Sequence, residues 1–442
     1  MLSLLALVLI NLSSCKETDP SPAPEVIETP PVPKFKNIEV GNGSGNLVID
    51  GTLLTLDCND TIRINAGSYN SITIKNINST DSCNIVVTNK GLVELNGDQR
   101  QLHLRNLEGV IITGNGDPAL PFGFVIQKSK FRASIITQPF NRITLQHFKF
   151  KDLGFYCFIN SENKEYTGAE DSYARDIKLL NISCENTGHL FQFSGAVEQT
   201  KITGYLKGLE VANIHFFNSN GGSAVACGNV EDYNIHDNVV ENVNATNNEH
   251  NGIFFMQGNG KFYNNMITNH QGNALRAWTF TIGTTPRQLL VYNNIIVNSR
   301  KYSAFEAQSF TRFMRNDVTY ANVMVYNNTV GSINMSKSWY GGILDTYNLQ
   351  GGYCKVFNNL AFDFPSPNPK DNIINQQGIT IPEVSNNLYF NTAQEAGFSD
   401  QTTYTLTTGS PAKNKGSIVR SMLTDYYGNA RSRMNPSIGA VE

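Results

Sequence analysis

The feature that most constrains this chain is asparagine, which recurs at nearly regular intervals. Asn occupies 55 of the 442 positions, and it is unfavourable inside helices but common in turns. From about residue 143, a short apolar run, a polar pair and a second apolar run are followed by a closing polar residue; residues 262–269 and 291–298 are the clearest copies. The closing residues are Asp152, Asn186, Asn218, Asn242, Asn269, Asn298, Ser332, Asp363 and Asn391.

The spacing of these closing residues predicts the fold class. Successive members lie 24 to 34 positions apart, and a repeat of this length with strand-like runs and frequent turns is typical of one coil of a parallel β-solenoid. The spacing varies because loops of different length can extend from the same turn. We therefore predict an all-β, single-domain solenoid of roughly 10–12 coils.

The solenoid also gives the Asn residues a structural role. At a corner, Asn tolerates the left-handed conformation, and its amide can hydrogen-bond the equivalent amide one coil away. We interpret Asn238, Asn265 and Asn294 as members of such a ladder. Functional residues should therefore be sought among the other side chains.

The N-terminal residues predict export. Residues 2–10 form an apolar run too short to span a bilayer, and Leu12-Ser13-Ser14-Cys15 then resembles the lipobox of bacterial lipoproteins. The resemblance implies a signal peptide over 1–14 and lipidation of Cys15; an ordinary secretory signal is the alternative. Residues 16–19 partly resemble the surface-export signal of Bacteroidetes lipoproteins, and the Pro-rich remainder of 15–33 forms an extended tether. We expect an outer membrane lipoprotein exposed at the cell surface.

Charge and cysteine content limit the classes of partner and the crosslinks that the chain can form. Lys and Arg number 34 against 37 Asp and Glu, so the basic surplus that nucleic-acid binding requires is absent. Cys58 and Cys83 lie 25 positions apart, about one coil, and could form a disulfide in an exported protein. Cys157 and Cys184 are either a second crosslink or stacked free thiols. No Cys or His spacing predicts a metal site.

A resemblance to a known fold family is carried by residues 62–77, 410–412, 425–431 and 438–442. The first range is similar to the first coils, and the other three to the closing segment, of right-handed parallel β-helix proteins of the pectate-lyase-like superfamily, which residues 34–442 therefore resemble. We divide the domain into N-terminal coils (34–135), regular Asn-rich coils (136–391) and a closing segment (392–442). The superfamily contains polysaccharide lyases, hydrolases, epimerases and non-catalytic surface proteins, so the resemblance implies a polysaccharide partner without fixing the reaction.

Three aligned strands, residues 252–256, 274–278 and 304–308, supply the candidate site. We expect Ile253, Phe255 and their equivalents to point inward, because the opposite phase would bury Arg276 and Glu306 in the core. The side chains then expected to point outward form two columns: Phe254, Arg276 and Glu306 in the first, and Met256, Trp278 and Gln308 in the second.

These outward columns suggest chemistry on an acidic glycan. Aromatic faces stack on sugar rings, and Arg pairs with a uronate carboxylate. A lyase needs a group that neutralises that carboxylate and a base that removes the adjacent proton. We expect Arg276 to neutralise and His250, His270 or Tyr302 to act as base, with Glu306 paired to Arg276. The alternative is structural: a cross-coil ion pair, hydrogen-bonded loop histidines, and Trp278 packed beneath a loop.

Other chemistries have weaker support. Glu231, Asp232 and Asp237 only partly resemble the acidic cluster of calcium-dependent lyases, so no metal site is assigned, although Ca²⁺ remains an allowed cofactor. No acidic pair at a defined spacing predicts glycoside hydrolysis, which is the second choice. We expect a monomeric, surface-anchored protein that binds and cleaves a polysaccharide, by β-elimination if the substrate is uronate-rich. The alternative is a non-catalytic adhesin or glycan-binding protein.

Overall fold

A computed structural model describes residues 35–442 except 81, 99, 161–163, 198–200, 310–317, 351, 367–372, 378–379 and 381. The predicted signal peptide, lipidated Cys15 and tether lie outside the described residues. Within them, no helix has the length and apolar character needed to cross a membrane. The helical segments that the structure describes are two short 3-10 turns, Gly51–Leu53 and Glu170–Ser172.

Strands make up most of the described chain. In order they are β1 (Asn37–Val40), β2 (Ser44–Asp50), β3 (Thr61–Asn78), β4 (Ile85–Asn96), β5 (Gln101–Thr113), β6 (Phe124–Gln127), β7 (Arg132–Gln146), β8 (Phe148–Lys151), β9 (Tyr156–Asn160), β10 (Ala174–Leu180), β11 (Ser183–Glu185), β12 (His189–Phe193), β13 (Ala196–Val197), β14 (Ile202–Thr203), β15 (Leu206–Ala212), β16 (His215–Phe217), β17 (Val225–His236), β18 (Val239–Val243), β19 (Gly252–Tyr263), β20 (Met266–His270), β21 (Asn273–Trp278), β22 (Thr281–Ile282), β23 (Gln288–Tyr292), β24 (Ile295–Ser299), β25 (Phe305–Gln308), β26 (Val318–Thr319), β27 (Asn322–Tyr326), β28 (Thr329–Gly331), β29 (Leu344–Tyr347), β30 (Cys354–Phe357), β31 (Leu360–Phe362), β32 (Ile374–Gln377), β33 (Glu383–Ser385), β34 (Leu388–Phe390), β35 (Phe398–Asp400) and β36 (Thr405–Leu406).

Thirty of these strands stack into three parallel sheets that run along one axis, and the other six form three antiparallel pairs, β13–β14, β22–β26 and β35–β36. In the regular coils the first sheet contains β23, β27 and β30, the second contains β20, β24, β28 and β31, and the third contains β21, β25 and β29. Each strand pairs in parallel with the equivalent strand one coil away, as Phe305 does with Leu344. The predicted all-β parallel β-helix is therefore confirmed.

Columns of apolar side chains fill the space between the sheets. Ile235, Phe262, Val291, Val325 and Val356 occupy equivalent positions of successive coils, and each is at most 1 % exposed. Burying a side chain of this size contributes about 1.5–3 kcal/mol. Because the column continues from coil to coil, each coil depends on its neighbours for its core.

A buried ladder of asparagines runs beside these columns. Asn238 Nδ2 donates to Asn265 Oδ1 (2.8 Å), and Asn265 Nδ2 donates to Asn294 Oδ1 (3.0 Å). The series continues through Asn328, Asn359 and Asn387. The predicted ladder is present, and each Asn that is fully buried in it also bonds main-chain groups.

The left-handed conformation belongs to the residue before each ladder Asn. Asn264 (φ 52°) and Asn293 (φ 54°) adopt it, whereas Asn265 and Asn294 do not. Our interpretation assigned both the left-handed backbone and the ladder hydrogen bond to the same Asn. Left-handed backbone also occurs at eight of the nine predicted closing residues, with φ between 50° and 59°: Asp152, Asn186, Asn218, Asn242, Asn269, Asn298, Ser332 and Asp363. Asn and Asp are among the few residues that tolerate this conformation.

The six cysteines of the described residues divide into one bonded pair and four thiols. Cys58 and Cys83 form a disulfide with their Cα atoms 5.4 Å apart, a separation that disulfide geometry accepts. The free cysteines of the described chain are buried: Cys157, Cys184, Cys227 and Cys354. Of the two alternatives for Cys157 and Cys184, the structure has the free thiols.

The closing segment packs along the side of the second sheet. Arg431 Nη2 donates to Asn293 Oδ1 (2.9 Å), and Asn358 Nδ2 donates to Ser417 O (2.8 Å). Val441 joins Ile295 in an apolar cluster on the outer face of the second sheet. This part of the second sheet is therefore closed to a large ligand.

The ladder predicts a position-specific effect on stability. Replacing Asn294 with Ala leaves buried main-chain groups unpaired, so the free energy of unfolding should fall by about 3 kcal/mol, measured by urea denaturation. Asn298→Gly is the matched control, because Asn298 is exposed and Gly adopts its left-handed backbone without strain. We expect the control to cost less than about 1 kcal/mol. Equal losses in the two variants would contradict a structural role for the buried ladder.

Candidate active site

The candidate site lies on the outer face of the third sheet, between two rows of loops. Where the strands end, an apolar cluster of Val197, Ile202, Phe280 and Tyr320 holds the neighbouring loops together. Where the strands begin, loops carry His250, Tyr302 and Trp339. Side chains that project from the strands between these rows are the ones that a ligand on this face would meet.

The strand register corrects the first member of each predicted column. Phe255 pairs with Arg276, and Arg276 pairs with Glu306, so Phe255 heads the outward column. Phe254 and Met256 point inward and are 2 % and 0 % exposed, respectively. The prediction that Phe254 and Met256 bind substrate is therefore wrong, because β19 is shifted by one residue from the assumed alignment and its side chains exchange faces.

Glu306 is the centre of the site and is almost completely buried. Its side chain is 4 % exposed and accepts hydrogen bonds from Arg276 Nε (3.0 Å), Gln308 Nε2 (2.5 Å) and His250 Nε2 (2.8 Å). Burial alone would raise the pKa of Glu306, but the hydrogen bond from His250 and the charge of Arg276 outweigh it and lower the pKa. Glu306 is thus held as a carboxylate that orients its neighbours.

His250 has one ring nitrogen with two hydrogen-bond acceptors beside it and one nitrogen with no hydrogen-bond partner among the described residues. Its Nε2 lies 2.8 Å from Glu306 Oε2 and 3.0 Å from Asn273 Oδ1. The amide orientation of Asn273 follows from its Nδ2, which donates to Ser303 O at 2.7 Å. Because Nε2 faces two acceptors, it carries a proton, so Nδ1 is the nitrogen that can accept a proton when the ring is neutral. Nδ1 makes no hydrogen bond with any described residue, and about a third of the side chain is exposed.

Arg276 is positioned by the same group of residues. Besides its bond to Glu306, Nη1 donates to His250 O (2.8 Å), and the guanidinium lies 5.7 Å from the centre of the Phe255 ring. Nη2 makes no hydrogen bond within the described part of the chain. The side chain is 22 % exposed, so this amino group remains for an anionic ligand.

Tyr302 supports the imidazole of His250 from one side. The two rings stack with their centres 4.0 Å apart. Tyr302 has φ 76°, which is unusual for a bulky residue and often occurs at functional sites. Lys301 Nζ lies 4.9 Å from the Tyr302 ring centre and 5.7 Å from that of Trp339, which is 45 % exposed. A cation and an exposed aromatic ring thus flank Tyr302.

The other predicted residues are placed away from a ligand. His270 ends β20 of the second sheet and is 3 % exposed, and burial lowers its pKa to about 4. It cannot reach a substrate on the third sheet. Gln308 is 1 % exposed and contacts Glu306 rather than solvent. Trp278 lies 5.2 Å from Phe255 and packs against the cluster that contains Phe280, so it is partly covered.

The acidic residues that weakly suggested calcium do not converge. Glu231 is buried and accepts hydrogen bonds from Tyr205 Oη and from Ile282 N. Asp232 pairs with Arg287, and Asp237 pairs with His236. Within the described residues, no three His, Cys, Asp or Glu side chains form a group that could hold a metal ion. These acids therefore do not fit a Ca²⁺ ion.

Sequence reasoning missed several residues of the site. Asn273 orients His250, yet the chain contains so many structural asparagines that nothing distinguished it. Phe255 was assigned to the core because residues 252–256 were aligned one residue out of register with 274–278. Lys301 and Trp339 come from different coils, and only the stacking of loops brings them together.

Comparisons with known proteins show likeness of fold at low identity. No family model and no curated protein matches the chain. The chain is similar to the pectate lyase Pel9A, with 12 % identity and a TM-score of 0.47 over 92 % of this chain and 97 % of that one. It is also similar to the PL6 family polysaccharide lyase Pedsa3628 from Pseudopedobacter saltans (11 %, TM-score 0.38, 89 % and 98 %). The A-module of the mannuronan C-5 epimerase AlgE6 from Azotobacter vinelandii follows (10 %, TM-score 0.28, 75 % and 91 %). These scores carry no argument about chemistry.

The pairing of Arg276 with buried Glu306 predicts a pH-dependent effect. Arg276→Gln removes a cation that lowers the pKa of Glu306, so the free energy of unfolding at pH 7 should fall by about 2–3 kcal/mol. The pKa of Glu306 is then higher in the folded variant than in folded wild type, so Glu306 becomes protonated at a higher pH in the variant. A neutral carboxyl group needs no cation beside it. The deficit should therefore shrink as the pH falls.

Urea denaturation of wild type and variant at pH 7 and at low pH measures this deficit. Lys178→Gln is the control, because its pair with Glu210 is considerably more exposed, and we expect it to cost about 1 kcal/mol or less. A deficit for Arg276→Gln that does not change with pH would show that Glu306 is not the group stabilised by Arg276.

Proposed function

We propose that this protein binds an acidic polysaccharide and cleaves it by β-elimination. The observation that supports the proposal is the arrangement around Glu306, which fixes His250 and Arg276 and leaves His250 Nδ1 and Arg276 Nη2 without a partner among the described residues. A proton acceptor and an anion-binding donor are thus held side by side at a partly exposed position, as a lyase requires.

The two groups take complementary parts in this reaction. Arg276 Nη2 pairs with the carboxylate of a uronate residue, which stabilises the negative charge that develops when the adjacent carbon loses its proton. That proton passes to His250 Nδ1, and its electron pair forms a carbon–carbon double bond. The glycosidic C–O bond on the next carbon breaks, and the departing oxygen takes a proton from solvent. Glu306 stabilises the charged imidazolium without becoming protonated.

Neighbouring side chains account for recognition of the glycan. Trp339 and Phe255 offer aromatic surface for sugar rings, and Lys301 adds a positive charge beside Tyr302. Glu306 is engaged by three donors, which makes it a poor nucleophile or proton donor. The site therefore favours a lyase over a two-carboxylate glycoside hydrolase.

The N-terminal sequence sets the proposed location. The lipobox-like residues that end at Cys15 are consistent with a lipoprotein of the outer membrane, and the Pro-rich tether would hold the β-helix away from the membrane surface. A monomer on the cell surface would meet polymers too large to enter the cell.

The reaction is tested with purified protein and a panel of pectin, alginate and glycosaminoglycans, by following the absorbance of unsaturated uronates. We expect one acidic glycan to yield this product, and His250→Ala to lower the rate by about 10²–10⁴-fold, as loss of a general base does. His215→Ala is the matched control, because His215 also faces a glutamate, Glu241, but lies on the second sheet; its rate should equal wild type. Absence of product from every acidic glycan would overturn the proposed reaction.

A glycan-binding protein without catalysis is the second candidate. The exposed ring of Trp339 and the neighbouring Lys301 favour it, because they bind sugars without needing a base. In that case wild type binds a glycan and forms no product, and His250→Ala binds as tightly as wild type.

A further inference from the structure

Two arginines on the N-terminal half of the third sheet have no ion-pair or hydrogen-bond partner among the described residues. Arg105 is exposed on β5, and Arg132 begins β7, which pairs directly with β5. Neither side chain forms an ion pair or hydrogen bond with a described residue, and Arg132 Nε is buried without an acceptor. Arg105 pairs with Thr137, five residues along β7 from Arg132, and His103 pairs with Ile135 between these positions. The pKa of His103 is lowered by burial and then by the charges of both arginines. Three basic groups are thus spread along two neighbouring strands of the sheet that also carries Arg276.

Exposed aromatic rings accompany these arginines. Phe131 and Phe155 are 51 % and 54 % exposed, and their ring centres are 5.8 Å apart. Tyr156 contacts both rings and stacks on His189 at 5.5 Å. Arg132 lies 5.5 Å from the centre of the Phe131 ring. We call Arg105, Arg132, Phe131, Phe155 and Tyr156 the distal patch. A cationic and aromatic surface of this kind has the chemistry of a binding site for anionic sugars.

The strand register connects the distal patch to the candidate active site. Arg132 pairs with Tyr156, and Tyr156 pairs with His189, all where strands of the third sheet begin. From β7 the sheet continues through β9, β12, β17 and β19 to β21, which carries Arg276. Five strand spacings, about 24 Å, separate the strand of Arg132 from the strand of Arg276. The outward column of Arg276 continues through Phe255, Ala226, Gln192, Ile159 and Ile135 to His103.

We propose that the distal patch is a second subsite for the same acidic polysaccharide, several sugar residues away from the bond that reacts. The inference rests on the proposed function, because it requires that the chain bound at Arg276 be anionic. Arg105 and Arg132 bind carboxylates of the distant sugars, and the rings of Phe131 and Phe155 pack on sugar faces. A long chain then gains affinity from both sites, whereas a short oligosaccharide at Arg276 does not reach the patch.

The test compares polymers with short oligosaccharides. Binding of the full chain to polygalacturonate and to alginate is measured by affinity gel electrophoresis, and binding of the corresponding trimers by calorimetry. The double variant Arg105→Gln/Arg132→Gln should bind the preferred polymer about tenfold more weakly and bind the trimer as wild type does. Phe131→Ala/Phe155→Ala should show the same pattern.

A charge-matched control distinguishes loss of the distal patch from a change in the net charge of the protein. Arg420→Gln/Arg433→Gln removes the same two charges from exposed positions of the closing segment, and it should bind the polymer as wild type does. If the distal variants bind the polymer as tightly as wild type, the second subsite is refuted and the proposed function stands. If wild type binds neither acidic polymer, both proposals fail. Equal weakening in the control variant would show that only total charge matters, which also overturns the subsite.

Discussion

Hydrogen bonding between buried asparagines of successive coils is the constraint on which the rest of the structure depends. The amide of Asn265 accepts from Asn238, donates to Asn294 and also donates to the main chain at Ile235 O. A slip of one residue between two coils would break these bonds and leave polar groups unpaired in the core. The ladder therefore fixes which residues of neighbouring coils face each other. Local irregularity is confined to other places, such as the shifts between β17 and β19.

The candidate site is a direct consequence of this fixed register. Arg276 and Glu306 belong to adjacent coils about 4.8 Å apart, so their contact needs no special loop conformation. What distinguishes this pair from an ordinary surface ion pair is burial of the carboxylate and its third partner, His250, from the preceding coil. A surface pair would have little consequence, whereas here a buried charge determines the orientation of two exposed groups. The distal patch lies on earlier strands of the same sheet.

Sequence alone predicted the fold in detail because the repeat is strong. Eight of the nine predicted closing residues have the left-handed backbone of a corner, and that of Asn269 or Asn298 follows from residue type. The site was only partly predictable. Charged side chains rarely point into a core, so the outward direction of Arg276 and Glu306 was predicted correctly. The run 253–256 is apolar throughout, so its sequence does not show which residues point inward, and Phe254 was assigned to the wrong face.

The sequence also did not predict how far the loops cover each side chain. His250 and His270 look equivalent in sequence, since each lies shortly before a strand of the third sheet. In the structure His250 is partly exposed, and His270 is enclosed within the coil. Exposure here depends on how loops of several coils stack, which no local pattern records.

The central claim is that His250 and Arg276, held by Glu306, form a site for a uronate residue. The most direct test is a crystal structure of the His250→Ala variant with an oligogalacturonate or an oligomer of alginate bound. The account predicts a sugar carboxylate within hydrogen-bond distance of Arg276 Nη2, with the carbon that carries it facing the space vacated by the imidazole. An oligosaccharide bound on another sheet, or turned with its carboxylate away from Arg276, would contradict it.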